Sequence, residues 1–242
     1  MKRKIKRIAK NIIEFSKRFF NRNDIFILNQ NNQKIKFFLP LKYDYLQQQI
    51  IVKNKFYENE FLLKIKKYMP RDAVVIDAGA NIGNHLIYFV KVLNAKEIYG
   101  FEPQKKIFNI LKKNVFLNNI QNKTKIYNLG LGEKNCKANF NLTESKHNSG
   151  AVFIEESDNG EANVVTLDSM KIREKIDFIK IDTEGFELKI IRGAKKLIKR
   201  DKPILFIEIQ PINEKPLIGL LKSFGYKIEK KLDKENYLFV NS

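Results

Sequence analysis

The amino-acid sequence predicts an α/β fold: a mostly parallel seven-stranded sheet with a C-terminal antiparallel hairpin, plus an N-terminal helix and β-hairpin extension. Three observations carry this. From Val74 onward, short apolar runs alternate with helix-periodic stretches, the pattern of a parallel sheet covered on both faces. The segment Val74-Val75-Ile76-Asp77-Ala78-Gly79-Ala80-Asn81-Ile82-Gly83-Asn84-His85 has the grammar of a strand, a tight turn and a helix start. The runs 226–231 and 236–240 lie close enough in sequence to pair antiparallel.

Taken in order, residues 1–22 carry Lys2, Arg3, Lys4, Lys6, Arg7, Lys10, Lys17, Arg18 and Arg22 against a single acid, Glu14. Ile5, Ile8, Ile12, Phe15 and Phe19 recur at helical spacing. Such a basic amphipathic helix can lie weakly in the headgroup region of an anionic membrane, or it can pack its apolar stripe on the domain. Residues 23–70 read as an extension. The strand-like runs 24–28 and 34–39 flank Asn29-Gln30-Asn31-Asn32-Gln33 as a hairpin, and 46–69 is mostly helix-like until Pro70 stops it.

The main domain is expected over 71–242. Strands are expected at 74–77, 97–101 and 124–128 with helices between them, and 138–165 as a β-rich insertion. That insertion holds the polar run 143–150, where His147 is expected to meet solvent. A strand at 178–181, a helix at 187–198, a strand at 204–209 and a helix at 214–224 lead to the closing hairpin.

A chain of 242 residues can bury a real core, and one main domain with an appendage is the simplest count. The single cysteine, Cys136, excludes an intramolecular disulfide framework and fits a reducing compartment. No run reaches the roughly 20 apolar residues that span a bilayer. The N-terminus lacks an apolar core and a cleavage site for a signal peptide. A cytoplasmic location is expected, with any membrane contact peripheral at the inner face. The formal charge of +19 invites a nucleic-acid partner, but 38 Lys stand against 8 Arg and are spread along almost every segment. Lys, Asn and Ile together are what AT-rich coding produces, whereas nucleic-acid surfaces cluster Arg for bidentate contacts. The charge is read as a solvated surface.

The turn after Asp77 differs from a dinucleotide fingerprint. Gly79-Ala80-Asn81-Ile82-Gly83 lacks the middle glycine, and Asn81, which tolerates left-handed angles, stands near its place. A carboxylate at Asp77 repels a pyrophosphate and attracts an ammonium. The loop therefore points to S-adenosylmethionine (SAM), although an ordinary packing turn would look alike. Glu102, at the tip of the second strand, is placed to accept two hydrogen bonds from a ribose diol, or to cap the following helix. Asn128, at the end of the third strand, could meet the adenine by position. In Phe178-Ile179-Lys180-Ile181-Asp182, Asp182 falls at a strand's carboxyl end, and Lys180 shares its side of the strand. A lysine inside an apolar strand needs a partner, and a crevice carboxylate would supply it.

On these motifs the chain resembles the FkbM-type SAM-dependent methyltransferases over residues 56–208. The resemblance rests on VVIDAGANIG, on Phe101-Glu102-Pro103, on Val165-Thr166-Leu167-Asp168, on FIKIDTEGFELKIIRGA and on ILFIEI. It implies a class I Rossmann-like methyltransferase acting on a hydroxyl, often of a sugar, polyketide or other glycan, and here a sugar or glycolipid precursor is expected. By position Asp77, Gly79, Ala80, Asn81 and Gly83 fall in the SAM loop and Glu102 matches the ribose acid. Lys180, Asp182, Glu184 and Glu187 match the signature, and Glu208 the acid ending the fifth strand.

For removing the hydroxyl proton, Asp182 is the first candidate, followed by Glu184, Glu208 and His85. Asp182, Glu184, Glu187 and Glu208 could instead hold Mg²⁺, which prefers oxygen ligands. A nucleic-acid-associated or non-catalytic Rossmann-like binding module would account for the charge but not for the ordered acids.

Overall fold

The computed structural model describes residues 24–142, 152–157 and 159–242. The expected helix in 1–22 and the run 143–150 with His147 lie outside the described residues.

Seven strands form one sheet: β3 (Val74–Ala78), β4 (Glu97–Phe101), β5 (Thr124–Tyr127), β10 (Phe178–Ile181), β11 (Ile204–Glu208), β12 (Tyr226–Lys231) and β13 (Asn236–Asn241). Their order across the sheet is β12-β13-β11-β10-β3-β4-β5. The five strands from β5 to β11 run parallel, while β13 pairs antiparallel with both β11 and β12. Chain order reverses between β3 and β10, and open α/β sheets bind ligands outside the carboxyl ends at such a point.

Both faces of the sheet are apolar, as a parallel sheet requires. Val75, Ile98, Phe178 and Phe206 face one core, while Ile76, Tyr99, Ile179 and Leu205 face the other. The first core is covered by α3 (Asn84–Lys91) and α4 (Lys105–Leu117). The hairpin of β1 (Ile25–Gln30) and β2 (Gln33–Phe38) packs there too. The second core is covered by α5 (Glu187–Gly193), α6 (Lys195–Asp201) and α7 (Glu214–Ser223). A small sheet, ordered β6-β9-β7-β8, is built from β6 (Gly130–Leu131), which precedes the expected β-rich segment, and from β7 (Cys136–Leu142), β8 (Val152–Glu156) and β9 (Ala162–Val165).

Asn114 ties the hairpin to the main domain. Its Oδ1 accepts from Phe38 N–H at 2.5 Å, and its Nδ2 donates to the Ile82 carbonyl at 2.9 Å. A strand of the extension and the glycine turn thus share one buried amide.

Two helices that the pattern predicts as continuous are broken. The stretch 46–69 divides into α1 (Tyr45–Lys53) and α2 (Asn59–Ile65), separated by left-handed residues Asn54 and Glu58. Phe56, only 1% exposed, drives the break by entering the core edge-on to Phe37 and Tyr88, with centroids at 5.7 and 5.1 Å. Burying a large aromatic outweighs a few residues of helix propensity. The second break falls at Ala194, after Gly193, where a Cβ would stand 1.9 Å from the Gly132 carbonyl oxygen. Backbone contact with the loop beyond β6 fixes that bend.

Candidate active site

The glycine turn closes with three left-handed residues, Gly79 (φ 78°), Asn81 (φ 48°) and Gly83 (φ 90°). At Gly79 a Cβ would lie 1.9 Å from the Asp182 backbone oxygen, so only glycine lets the end of β3 pass the end of β10. Gly79, Ala80, Asn81 and Glu102 line one side of a cavity at the carboxyl ends of the strands.

Glu102 is buried, and both of its oxygens are oriented by backbone. Oε2 accepts from Asn81 N–H at 3.0 Å and Oε1 from Gln104 N–H at 2.8 Å. Each oxygen keeps a further lone pair for another donor. Burial pushes its carboxyl up to about 7 against the lowering effect of the two N–H groups.

Lys180 and Asp77 are register partners on adjacent strands, and both are buried. Lys180 Nζ lies 3.1 Å from Asp77 Oδ1 and 3.2 Å from Asp182 Oδ2, and it donates to the Gly79 carbonyl at 2.8 Å. Burial works against the ammonium, but Asp182 and Asp77 outweigh it and hold its pKa above the ordinary value. Asp77 itself does not line the cavity. Its partner is this lysine rather than a ligand's ammonium group, because the residue is wholly enclosed behind Lys180.

Tyr57 and Glu58, from the break between α1 and α2, also line the cavity. Asn84 holds that segment in place: its Oδ1 accepts from Tyr57 N–H at 2.9 Å, and its Nδ2 donates to Tyr57 C=O at 3.0 Å. His85 Nε2 lies 3.4 Å from Glu58 Oε2 without hydrogen-bond geometry. Burial, then the Lys180 charge, lower the His85 pKa to about 3, so the ring is neutral.

Asp182 and Glu208 interact through their side chains. Burial, the Asp182 charge and that hydrogen bond push Glu208 up to about 10, so Glu208 carries the shared proton. Burial would raise Asp182 as well, but Lys180 overrides it and keeps Asp182 ionised. Burial and the Asp182 charge raise Glu58 and Glu184 to about 7. Glu184 is left-handed (φ 49°), and its Oε2 accepts from Gln210 Nε2 at 3.1 Å.

Of the residues expected from sequence, the cavity lining includes Gly79, Ala80, Asn81, His85, Glu102, Lys180, Asp182, Glu184 and Glu208. Besides Asp77, three others have different contacts. Asn128 donates to the carbonyls of Glu102 and Pro103 at 2.9 and 2.8 Å, so it braces the Glu102 turn instead of lining the cavity. Glu187 accepts from Gly185 N–H and Asn213 Nδ2 at 2.6 and 2.8 Å, away from the cavity. Gly83 packs on Leu111. Among the described residues no group of three or more His, Cys, Asp or Glu side chains is placed to hold a metal ion. Of the residues expected for Mg²⁺, Asp182 is engaged by Lys180 and Glu187 by Asn213. Tyr57, Glu58, Thr183 and Phe140 also line the cavity and were not singled out from sequence. Asn54, a natural left-handed helix cap, is the one local signal that the chain breaks before Tyr57.

The family described as Methyltransferase FkbM domain matches residues 77–237. The chain belongs to the FkbM methyltransferase domain family. It is 22% identical to Methyltransferase 1 of Beauveria bassiana (strain ARSEF 2860) over 148 residues, 51% of this chain and 59% of that protein. It is 26% identical to Methyltransferase sdnD of Sordaria araneosa over 160 residues, 52% of this chain and 62% of that protein. The chain thus spans about three-fifths of the length of these relatives. The crystal structure of Methyltransferase FkbM from Methylobacillus flagellatus KT shares the fold, with TM-score 0.51 and 18% identity over 96% of this chain and 59% of that one.

The FkbM match contains the glycine turn, Glu102, Lys180 and the acids after β10. It leaves out Tyr57 and Glu58. The cavity therefore has one wall from the family domain and one from the N-terminal extension. Among the described residues no helix is long and apolar enough to cross a membrane.

Proposed function

We propose that this protein is a SAM-dependent O-methyltransferase that methylates a hydroxyl of a sugar, glycan or glycolipid precursor. One observation carries the reading: Glu102, with both oxygens fixed by backbone N–H groups, faces the same cavity as the Lys180–Asp182 pair. The residues present fit the cofactor. Glu102 would hold the ribose hydroxyls, and the backbone of Gly79, Ala80 and Asn81 would border the methionine part. SAM, when bound, supplies an electrophilic methyl group on a sulfonium.

The chain's own work is positioning and proton handling. Lys180 locks the ends of β3 and β10, so the glycine turn and Asp182 keep their spacing, and such placement supplies much of the rate in a displacement. A sugar hydroxyl needs a base near neutral pKa. Asp182, the first candidate from sequence, is engaged by both Lys180 and Glu208. Glu58 and Glu184, raised to about 7, are better fitted to take the proton.

Calorimetry with S-adenosylhomocysteine tests cofactor binding, with micromolar binding expected; no binding would refute the reading. Mass spectrometry of glycans from cells with and without the protein tests the acceptor, with one methyl group fewer expected when it is absent. Identical glycans in both would refute the sugar assignment.

A further inference from the structure

We infer that the acceptor carries a protonated amine beside its reactive hydroxyl, as an amino sugar does. This rests on the methyl-transfer reading and names its substrate class. Among the described residues five carboxyl groups line the cavity: Glu58, Glu102, Asp182, Glu184 and Glu208. The one lining ammonium among the described residues, Lys180, is already held between Asp77 and Asp182. A bound SAM adds one net positive charge, from two cationic groups and one carboxylate, so the wall still has acids to spare. In a chain of formal charge +19, this is a local reversal of sign. A phosphate-bearing acceptor would meet repulsion at this wall.

A second feature points to a ligand on the same side. His85, 6% exposed, lines the cavity with Nε2 making no hydrogen bond, and the buried Thr183 Oγ1 makes none either. Buried polar atoms of this kind are normally satisfied, so they suit the hydroxyls of a polyol. Tyr57 adds an aromatic face, with Tyr45 packed edge-on at 6.2 Å, and aromatic faces attract ammonium groups. Among the described residues Glu58 and Glu184 are the two glutamates held at positive φ (56° and 49°), and both line this cavity. Such backbone strain clusters where ligands bind.

Among the described residues the titratable and charged groups lining the cavity are Glu58, Asp182, Glu184, Glu208, His85, Tyr57 and Lys180, with Glu102 beside the glycine turn. An entering ammonium replaces protons that these carboxyl groups carry at neutral pH. One carboxylate accepts the hydroxyl proton as the oxygen–carbon bond forms, and the carbon–sulfur bond breaks with its electron pair left on sulfur.

The test is calorimetry on the full chain saturated with S-adenosylhomocysteine, titrating glucosamine, galactosamine and mannosamine against glucose, galactose and mannose in two buffers of different ionisation enthalpy. At least one amino sugar is expected to bind about tenfold or more tighter than its parent, with net proton release. Glu58→Gln and Glu184→Gln should each shrink that preference while keeping S-adenosylhomocysteine affinity and melting temperature near wild type. If no amino sugar outbinds its parent, the inference is overturned. It is equally overturned if the preference survives in both variants. Absence of S-adenosylhomocysteine binding to wild type would instead refute the methyl-transfer reading, and the same titration on the free protein would still report on the amine.

Discussion

Lys180 Nζ lies 3.1 Å from Asp77 Oδ1 and 3.2 Å from Asp182 Oδ2, so one buried ammonium joins the ends of two adjacent parallel strands. Removing one partner of a buried pair strands the other, typically at about 3–5 kcal/mol. Lys180→Met should therefore lower unfolding stability by roughly that amount. The double variant Lys180→Met with Asp77→Asn should recover part of the loss, because no unpaired charge then remains at Asp77. Urea denaturation checks this; a double variant less stable than the single one would refute the pairing argument.

Glu102 should decide cofactor affinity. Hydrogen bonds to a charged group contribute about 1.5–3 kcal/mol each, so Glu102→Ala is expected to weaken S-adenosylhomocysteine binding by at least about tenfold. The same change frees Asn81 and Gln104 N–H, so a modest fall in melting temperature should accompany it. Unchanged affinity by calorimetry would remove Glu102 from the ribose role.

The proton shared by Glu208 makes a pH prediction with a defined sign. Its folded pKa, about 10, lies above its ordinary value of 4.5. The folded state keeps a proton that the unfolded chain releases, so this stability is full below about pH 4.5 and is lost as pH rises toward 10. Glu208→Gln has no such proton to lose. Its stability relative to wild type should rise between pH 5 and pH 9, by at most about 1.4 kcal/mol per pH unit. Paired urea titrations measure the difference; a flat or falling difference would contradict the shared proton.

Most of the sheet was legible because its strands are short apolar runs bounded by turn residues, and the pleat fixes which side chains share a face. Lys180 and Asp182 announced themselves as charges in such a run. The partner of Asp77 was not legible, because strand register across the sheet decides it. Nor was the break that delivers Tyr57 and Glu58. Local propensity across 46–69 favours helix, and only the core around Phe37 and Tyr88 makes Phe56 leave it. Asn128 and Glu187 sit where the motif predicts, yet their side chains serve neighbouring backbone or amide groups.

Asn84 clamps the Tyr57 segment of the extension to the FkbM domain, and it gives a test that separates the extension's share of the cavity from the cofactor side. Its side chain satisfies both the N–H and the C=O of Tyr57, at 2.9 and 3.0 Å. Asn84→Ala leaves both unpaired at a part-buried site, which should cost about 2 kcal/mol. The loss is local. Glu102 and the backbone around Gly79 do not depend on this amide, so S-adenosylhomocysteine affinity should stay within about threefold of wild type. Hydrogen exchange in residues 55–60 should accelerate, because the Tyr57 N–H loses its side-chain acceptor and the break between α1 and α2 opens once the clamp is gone. Mass spectrometry of exchanged peptides reads this directly. Unaltered exchange there would show that Phe56 alone fixes the segment. An equal loss of cofactor affinity would show that the two walls are a single unit.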